Sequence, residues 1–177
     1  KRKTAYTVQG IKVGDVWVGV NTHLPNKLIK ASLTHPLLED FAAYQICDSE
    51  VRYGVEGDSR VDFRFSQASN GVSNAYLEIK NVTLKVGEQA QFPDTVSVRA
   101  HKHVLDLVHV MSLGFQASLI FLVQRLDCQV FSPATAIDKR YTDSLISAHA
   151  QGLSIRALCA KLDEKGLCLS HEIPLIL

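Results

Sequence analysis

Two stretches of the chain alternate between hydrophobic and polar residues, and together they predict a β-hairpin. The first stretch, 59–65, reads SRVDFRF, and the second, 76–80, reads YLEIK; a polar segment rich in Ser, Asn and Gly separates them. Side chains of a strand point to opposite faces with period two, so Glu78 and Lys80 are expected to project together, away from the core face. If the two strands pair, Asp62 lies on the same polar face, where two carboxylates and a lysine converge.

The rest of the hydrophobic pattern predicts a mixed α/β fold in which a central sheet is flanked by helices. Further strands are expected within 1–20 and at 46–53, 117–123, 128–131, 155–162 and 167–169. Helices are expected at 27–38, 95–113 and 144–150. The strand at 117–123 is almost wholly apolar, as is typical of a central strand covered on both faces. A sheet with helices packed on it would bury these faces.

The helix predicted at 95–113 is the most periodic segment of the chain, with Asp94 as its expected N-cap. Its predicted core face carries Val104, Leu105, Val108 and Met111. Its predicted outer face carries Arg99, Lys102, His103 and Asp106. The basic residues of the outer face, Arg99, Lys102 and His103, suit contact with the phosphates of a nucleic acid. The alternative is an ordinary solvated helix face.

Length and composition set limits without naming a function. The chain has 177 residues, of which 46% are hydrophobic, and a net charge of +1, which neither indicates nor excludes a nucleic-acid partner. No apolar run approaches the length of about 18 residues that a membrane span needs, so no membrane partner is expected. No cysteine belongs to a CxxC pair, and we expect all four to be reduced core residues of a cytoplasmic protein: Cys47, Cys128, Cys159 and Cys168.

The chemistry of the predicted hairpin favours a divalent-metal phosphodiesterase. Asp62 and Glu78 would supply hard oxygen ligands for Mg²⁺, and the peptide carbonyl of Ile79 would complete the set. Lys80 on the same face would orient an attacking water or stabilise negative charge on the phosphorus. The alternative is a half-exposed sheet whose charged residues simply face water, since an acid two positions before a lysine also arises by chance.

Several strings of the chain, in order, resemble one known family. They are GVNTHLPNKL (19–28), SEVRYG (49–54), SRVDF (59–63), YLEIKNVTL (76–84), FPDTVSVRAHKH (92–103), FSPA (131–134) and ID-x-x-Y (137–141). On these strings the chain is identified as a member of the sugar fermentation stimulation protein A (SfsA) family.

The resemblance implies a fold and a function. The fold would have a PD-(D/E)XK (restriction-endonuclease-like) core at 21–177, preceded at 1–20 by the remnant of an OB-like β domain. The function would be that of a bacterial DNA-binding protein that regulates sugar (maltose-type) metabolism. It would lie in the cytoplasm, either free or associated with the nucleoid. The nuclease motif falls on Asp62, Glu78 and Lys80, with Mg²⁺ or Mn²⁺ as cofactor. The basic helix start falls on Arg99, Lys102 and His103. The oligomeric state stays open, with a homo-oligomer as one alternative.

One departure from the family pattern bears on catalysis. The first helix of the family commonly carries a Glu-Ala pair, where this chain has Ala31 and Ser32. Related nucleases often place an acidic residue on that helix to help bind metal. Two functions therefore remain: a metal-dependent deoxyribonuclease, and a non-catalytic DNA-binding regulator in which the nuclease site is vestigial. Glu50 is retained, and its role is either structural or part of the site.

Overall fold

A six-stranded mixed sheet forms the centre of the structure, a computed structural model that describes residues 5–55 and 57–177. The strands are β1 (Gly10–Val13), β2 (Val16–Gly19), β3 (Tyr44–Tyr53), β4 (Ser59–Ala68), β5 (Ala75–Val82), β6 (Leu84–Val86), β7 (Gln89–Phe92), β8 (Gln116–Val123), β9 (Val130–Pro133), β10 (Ser154–Asp163) and β11 (Gly166–Ile173). The helices are α1 (Leu24–Ala31), α2 (Val98–Ser112) and α3 (Lys139–Ala150), and a 3-10 helix lies at Pro36–Phe41.

The central sheet has the strand order β11-β10-β8-β5-β4-β3 and is covered by helices on both faces. The inner strands β5, β8 and β10 run parallel, and the outer pairs are antiparallel. Helices α2 and α3 pack on one face, and α1 and the 3-10 helix pack on the other. A second, three-stranded sheet, β6-β7-β9, lies at the α2 side. The predicted mixed α/β fold with a flanked central sheet is confirmed.

The predicted hairpin is confirmed as β4 and β5, but the two strands diverge and form a fork. They pair over only three residues, and the last pair toward the fork is Phe63 with Leu77. Next to this pair β4 changes faces, since Phe63 packs on the α1 side whereas Val61 packs under α2. Asp62 lies between these two residues, so its side chain enters the fork instead of a regular ladder.

Because α2 covers the face of β5 that carries Glu78 and Lys80, the prediction that these residues point away from the core is wrong. Glu78 is only 3% exposed. The lysine side chain is 12% exposed. The period-two pattern placed both residues on one face correctly, but it did not show that a helix covers that face.

Helix α2 buries most of the predicted face, since Val104 is buried and Val108 and Met111 pack against the core, but it also buries polar residues of the predicted outer face. Leu105, which was expected in the core, is 50% exposed, whereas His103 and Asp106, expected outside, are 4% and 3% exposed. Both polar side chains turn inward because each has a buried partner on the sheet: His103 contacts Glu78, and Asp106 accepts a hydrogen bond from Ser59. A hydropathy wheel counts such residues as polar and assigns them to solvent.

The first twenty residues contain the two predicted short strands, β1 and β2, which pair with each other and dock on the main body. The docking contact is close, because the Gly19 N–H donates to the Gln124 carbonyl at 2.9 Å. A Cβ atom on Gly19 would lie 2.2 Å from Gln124 Oε1, so any larger residue would require the buried Gln124 side chain to move. Residues 1–4 of the predicted domain 1–20 lie outside the described residues. The interpretation of this segment as the remnant of an OB-like domain stays a prediction.

Smaller differences concern element ends and one cysteine. Helix α2 begins after Ser97, whose hydroxyl accepts from the Ala100 N–H, so the prediction of Asp94 as N-cap is wrong. Cys168 lies exposed on the edge strand β11, so its assignment to the core is also wrong. Among the described residues, no helix is long and apolar enough to cross a membrane.

Candidate functional site

The Asp62 side chain lies in the fork between β4 and β5, where it replaces the backbone hydrogen bonds that the diverging strands do not make. Its Oδ2 accepts from the Ile79 N–H at 2.7 Å, and its Oδ1 accepts from Asn26 Nδ2 of α1 at 2.6 Å. Burial raises the pKa of Asp62 to about 6, and the neighbouring carboxylate of Glu78 acts in the same direction. Its hydrogen-bond partners are neutral amides, so no cation in direct contact compensates its charge.

Glu78 lies on the α2 side of the same fork and has one occupied and one free oxygen. Its Oε1 accepts from Lys80 Nζ at 2.6 Å and contacts His103 Nδ1. Its Oε2 is buried and has no partner among the described residues. Burial alone would raise the pKa of Glu78, but Lys80 and His103 together outweigh it, so the pKa is lowered and the carboxylate stays ionised.

The basic residues predicted on α2 occupy three different environments. Arg99 is exposed, and its Nε donates to His103 Nε2 at 3.4 Å. His103 is buried between Arg99 and Glu78, so its side chain lies below the protein surface. The prediction that all three contact DNA stays a prediction, and only Arg99 has an exposed side chain with free donors to offer.

Lys102 belongs to a separate network that ties α2 to the start of β4. Its Nζ lies 2.8 Å from Asp58 Oδ1, 2.8 Å from Ser59 Oγ and 2.9 Å from Asp106 Oδ2. The Asp106 carboxylate is buried and also accepts from the Ser59 hydroxyl. A Cβ atom on Gly54 would lie 2.6 Å from this carboxylate, so the turn before β4 packs directly against it. This network stabilises the strand that carries Asp62.

Sequence reasoning missed Asn26 and misjudged the position of Ala31. Asn26 is the residue of α1 that reaches Asp62, whereas Ala31 is exposed and lines a groove beside the β10–β11 turn. An acid at position 31 would therefore not face Asp62. The only available signal for Asn26 was its place in the LPNKL string at the start of α1.

Glu50 lies beside the fork on β3. It has a φ of 57°, a region that side chains other than glycine rarely adopt and that often marks functional sites. Together with Asn26 and Asp62 it lines a cavity of about 150 Å³. Residues 5–55 and 57–177 contain no cluster of three or more His, Cys, Asp or Glu side chains with metal-binding geometry.

Comparison with known protein families matches residues 23–166 to the sugar fermentation stimulation protein RE domain, where RE denotes a restriction-endonuclease-like fold. The chain belongs to the SfsA family. The family assignment made from the sequence strings is confirmed. The matched range holds Asp62, Glu78 and Lys80 and all three helices, but not β1 and β2.

Individual relatives agree with this assignment. The chain is 38% identical over 176 residues to the sugar fermentation stimulation protein homolog of Geotalea daltonii, covering 99% of this chain and 74% of that protein. It is 41% identical over 158 residues to the homolog of Trichodesmium erythraeum, covering 88% of this chain but 62% of the relative. The chain thus spans between 62% and 74% of the length of these two SfsA proteins.

A solved structure shares the whole fold. It is described as the structure of Pyrococcus furiosus SfsA in complex with Ca²⁺, and it covers 100% of this chain and 74% of its own. The TM-score is 0.89 and the sequence identity is 26%. The overall fold of this chain is therefore shared with a distant SfsA protein.

Proposed function

We propose that this SfsA chain binds DNA and hydrolyses its phosphodiester bonds with the help of a divalent cation held at the fork. The observation that carries the proposal is the buried, unpartnered Oε2 of Glu78 beside the carboxylate of Asp62. A buried carboxylate oxygen without a donor is costly, and a cation removes that cost. The relative from Pyrococcus furiosus, described in complex with Ca²⁺, supports a divalent-cation site in the family.

The residues present fit a hard cation such as Mg²⁺ or Mn²⁺. Asp62, Glu78 and the peptide carbonyl of Ile79 would hold it, since Mg²⁺ prefers oxygen ligands and usually keeps several waters. When bound, such a cation polarises a phosphoryl group and lowers the pKa of a coordinated water. Metal ligands must be deprotonated, which the lowered pKa of Glu78 already provides.

The chain's own groups would bind and orient the substrate. Lys80 Nζ lies 2.6 Å from Glu78 Oε1, so its remaining protons are held where they can orient a water or stabilise charge on a phosphate. Arg99 is exposed on the same side of the sheet and offers its guanidinium to the phosphate backbone. Asn26 fixes Asp62 from α1, so the fork keeps its shape without substrate.

A second candidate is a non-catalytic DNA-binding regulator of sugar (maltose-type) metabolism, acting in the cytoplasm or at the nucleoid. Two observations favour it. The residue of α1 that faces Asp62 is the amide Asn26 and not a carboxylate, and the described part of the chain holds no three-membered cluster of metal-binding side chains. A cation held by two carboxylates and a carbonyl would bind weakly, and DNA binding would then not lead to cleavage.

Cleavage and binding assays separate the two candidates. The protein is incubated with single-stranded, duplex and branched DNA in Mg²⁺, Mn²⁺ or EDTA, alongside Asp62→Asn and Glu78→Gln. Asp143→Asn removes an exposed charge on α3 and serves as the matched control. Metal-dependent cleavage that is lost in the two site variants but kept in the control supports the nuclease. Salt-dependent binding without cleavage supports the regulator. Cleavage that persists in both site variants refutes the proposed site.

A further inference from the structure

We infer that His103 is a positioning residue that holds the Glu78 carboxylate from behind and links it to Arg99, so that cation binding and phosphate binding reinforce each other. The inference deepens the proposed function and rests on it for the identity of the cation site. Three side chains form the link, in the order Arg99, His103, Glu78, and we call them the α2 relay. The relay begins at the protein surface and ends at the buried fork.

The hydrogen-bond partners indicate which ring nitrogen of His103 donates and which accepts within the relay. Arg99 Nε can only donate, so the 3.4 Å contact assigns His103 Nε2 as its acceptor. The ring proton is therefore on Nδ1, which faces the Glu78 Oε1 and donates to it. The opposite tautomer would place two donors against each other at Nε2 and a lone pair against a carboxylate at Nδ1. The relay thus runs in one direction, from the guanidinium to the carboxylate.

The relay holds Glu78 so that one oxygen stays free. Lys80 Nζ and His103 Nδ1 both donate to Oε1, and these two atoms lie 3.3 Å apart, so they approach Oε1 from one side. The ring of Tyr53 packs edge-on against the imidazole, with centroids 6.4 Å apart and planes at 84°. The carboxylate therefore cannot rotate without losing two charge-assisted contacts, and Oε2 remains the unpartnered atom.

The outer end of the relay is also free to bind. The hydrogen bond from Arg99 uses only Nε, and among the described residues the two terminal nitrogens of this guanidinium have no hydrogen-bond partner. A phosphate bound to those two nitrogens would fix the guanidinium and with it the donation to His103. A cation on Oε2 would hold Glu78 against the same imidazole, so each ligand would stabilise the arrangement that the other needs, which gives positive coupling between a phosphate outside and a cation inside.

Two amide substitutions at position 103 test the inner contact separately from the outer one. The amide nitrogen of Asn takes the place of Nδ1, so His103→Asn keeps the donor to Glu78 and loses the acceptor for Arg99. The longer Gln places its amide near Nε2, so His103→Gln loses the donor to Glu78. We expect Mn²⁺ affinity, measured by calorimetry on the folded chain, to stay within about threefold of wild type in the Asn variant. It should fall about 10–100-fold in the Gln variant.

The coupling is tested by the binding of a fluorescently labelled single-stranded oligonucleotide in Ca²⁺ or in EDTA at fixed ionic strength. Ca²⁺ should raise the affinity of wild type by about fivefold or more, and reciprocity requires the same factor for the cation. The increase should vanish in His103→Asn and in Arg99→Ala. Because Arg99 is exposed, the second variant is expected to fold, and urea denaturation checks both.

The outcomes separate this inference from the proposed function. Equal Mn²⁺ affinities in the Asn and Gln variants, or a Ca²⁺ effect that survives in both His103→Asn and Arg99→Ala, overturn the relay while leaving the cation site in place. Mn²⁺ binding with the expected variant pattern but without any DNA cleavage supports the relay and refutes the nuclease. Failure of the wild-type chain to bind Mn²⁺ or Ca²⁺ refutes the cation site itself and the relay with it.

Discussion

Replacement of Asp62 by Asn should stabilise the metal-free protein at neutral pH, although Asp62 is a proposed ligand. At neutral pH the Asp62 carboxylate is ionised although it is largely buried, lies next to Glu78 and accepts hydrogen bonds only from neutral donors. Asn keeps both hydrogen bonds, since its oxygen accepts from the Ile79 N–H and its amide donates to Asn26 once that side chain flips. The substitution therefore removes a buried charge without leaving an unsatisfied group.

The magnitude follows from the shift in pKa. A rise from 3.8 to about 6 is about two units, or about 3 kcal/mol at about 1.4 kcal/mol per unit, and residual solvent contact reduces this to about 1–2 kcal/mol. Below pH 3.8 the group is protonated in both states, and its contribution to stability is fully present. As pH rises from 3.8 to about 6, the unfolded chain ionises first and the wild type loses that stability. Above about pH 6 the difference is constant.

Urea denaturation followed by circular dichroism, in EDTA, measures this difference across the pH range. The free energy of unfolding of Asp62→Asn should match wild type well below pH 3.8 and exceed it by about 1–2 kcal/mol above pH 6. Subtracting the two curves cancels other groups, such as Asp127, whose pKa is held low by Arg125. The exposed Asp143→Asn controls for net charge. A variant less stable than wild type at pH 7, or a difference independent of pH, would refute the reasoning.

Three further substitutions test the packing around the site. Gly19→Ala places a Cβ 2.2 Å from Gln124 Oε1, so it should lower the free energy of unfolding by about 1–3 kcal/mol. A thermal melt measures this, and an unchanged melting temperature would contradict the docking of the β1–β2 hairpin. Tyr141→Phe removes a buried hydroxyl that has no hydrogen-bond partner among the described residues. Urea denaturation should therefore show an equal free energy of unfolding or one higher by up to about 1–3 kcal/mol. A clear loss of stability would mean that the hydroxyl makes a hydrogen bond. Lys102→Ala leaves Asp106 buried without its cation and should cost about 2 kcal/mol of unfolding free energy. If it instead weakens DNA binding at unchanged stability, Lys102 is a DNA contact and not a structural one.

The sequence was sufficient for the hairpin because its information is local. Alternation in 59–65 and 76–80 fixes which residues share a face, and the observed pair of Phe63 with Leu77 then places Asp62 beside Glu78. A short polar connection makes the two strands neighbours, so the register needs no distant contact. The two carboxylates of the candidate site could therefore be brought together without a structure.

The burial of two polar side chains on α2 could not be predicted because distant partners decide it. His103 turns inward to Glu78, 25 residues earlier, and Asp106 turns inward to Ser59, 47 residues earlier. Helical periodicity sorts side chains by hydropathy, and a polar residue with a buried partner defeats that rule. Asn26 was missed for the same reason, since its contact with Asp62 spans 36 residues.

The distribution of charge within the fork gives the strongest reason to expect a cation there. Glu78 has two basic partners on Oε1, so its charge is compensated on one side only, and its other oxygen has no partner. Asp62 has neutral partners, so its charge is compensated by none of its contacts. A structural ion pair would place a lysine or arginine on each exposed acceptor, as Lys85 and Arg125 do on the two oxygens of Asp127. Here both basic side chains that contact Glu78 reach Oε1, so Oε2 and the Asp62 carboxylate have no cation in direct contact among the described residues, and a divalent cation would supply that positive charge.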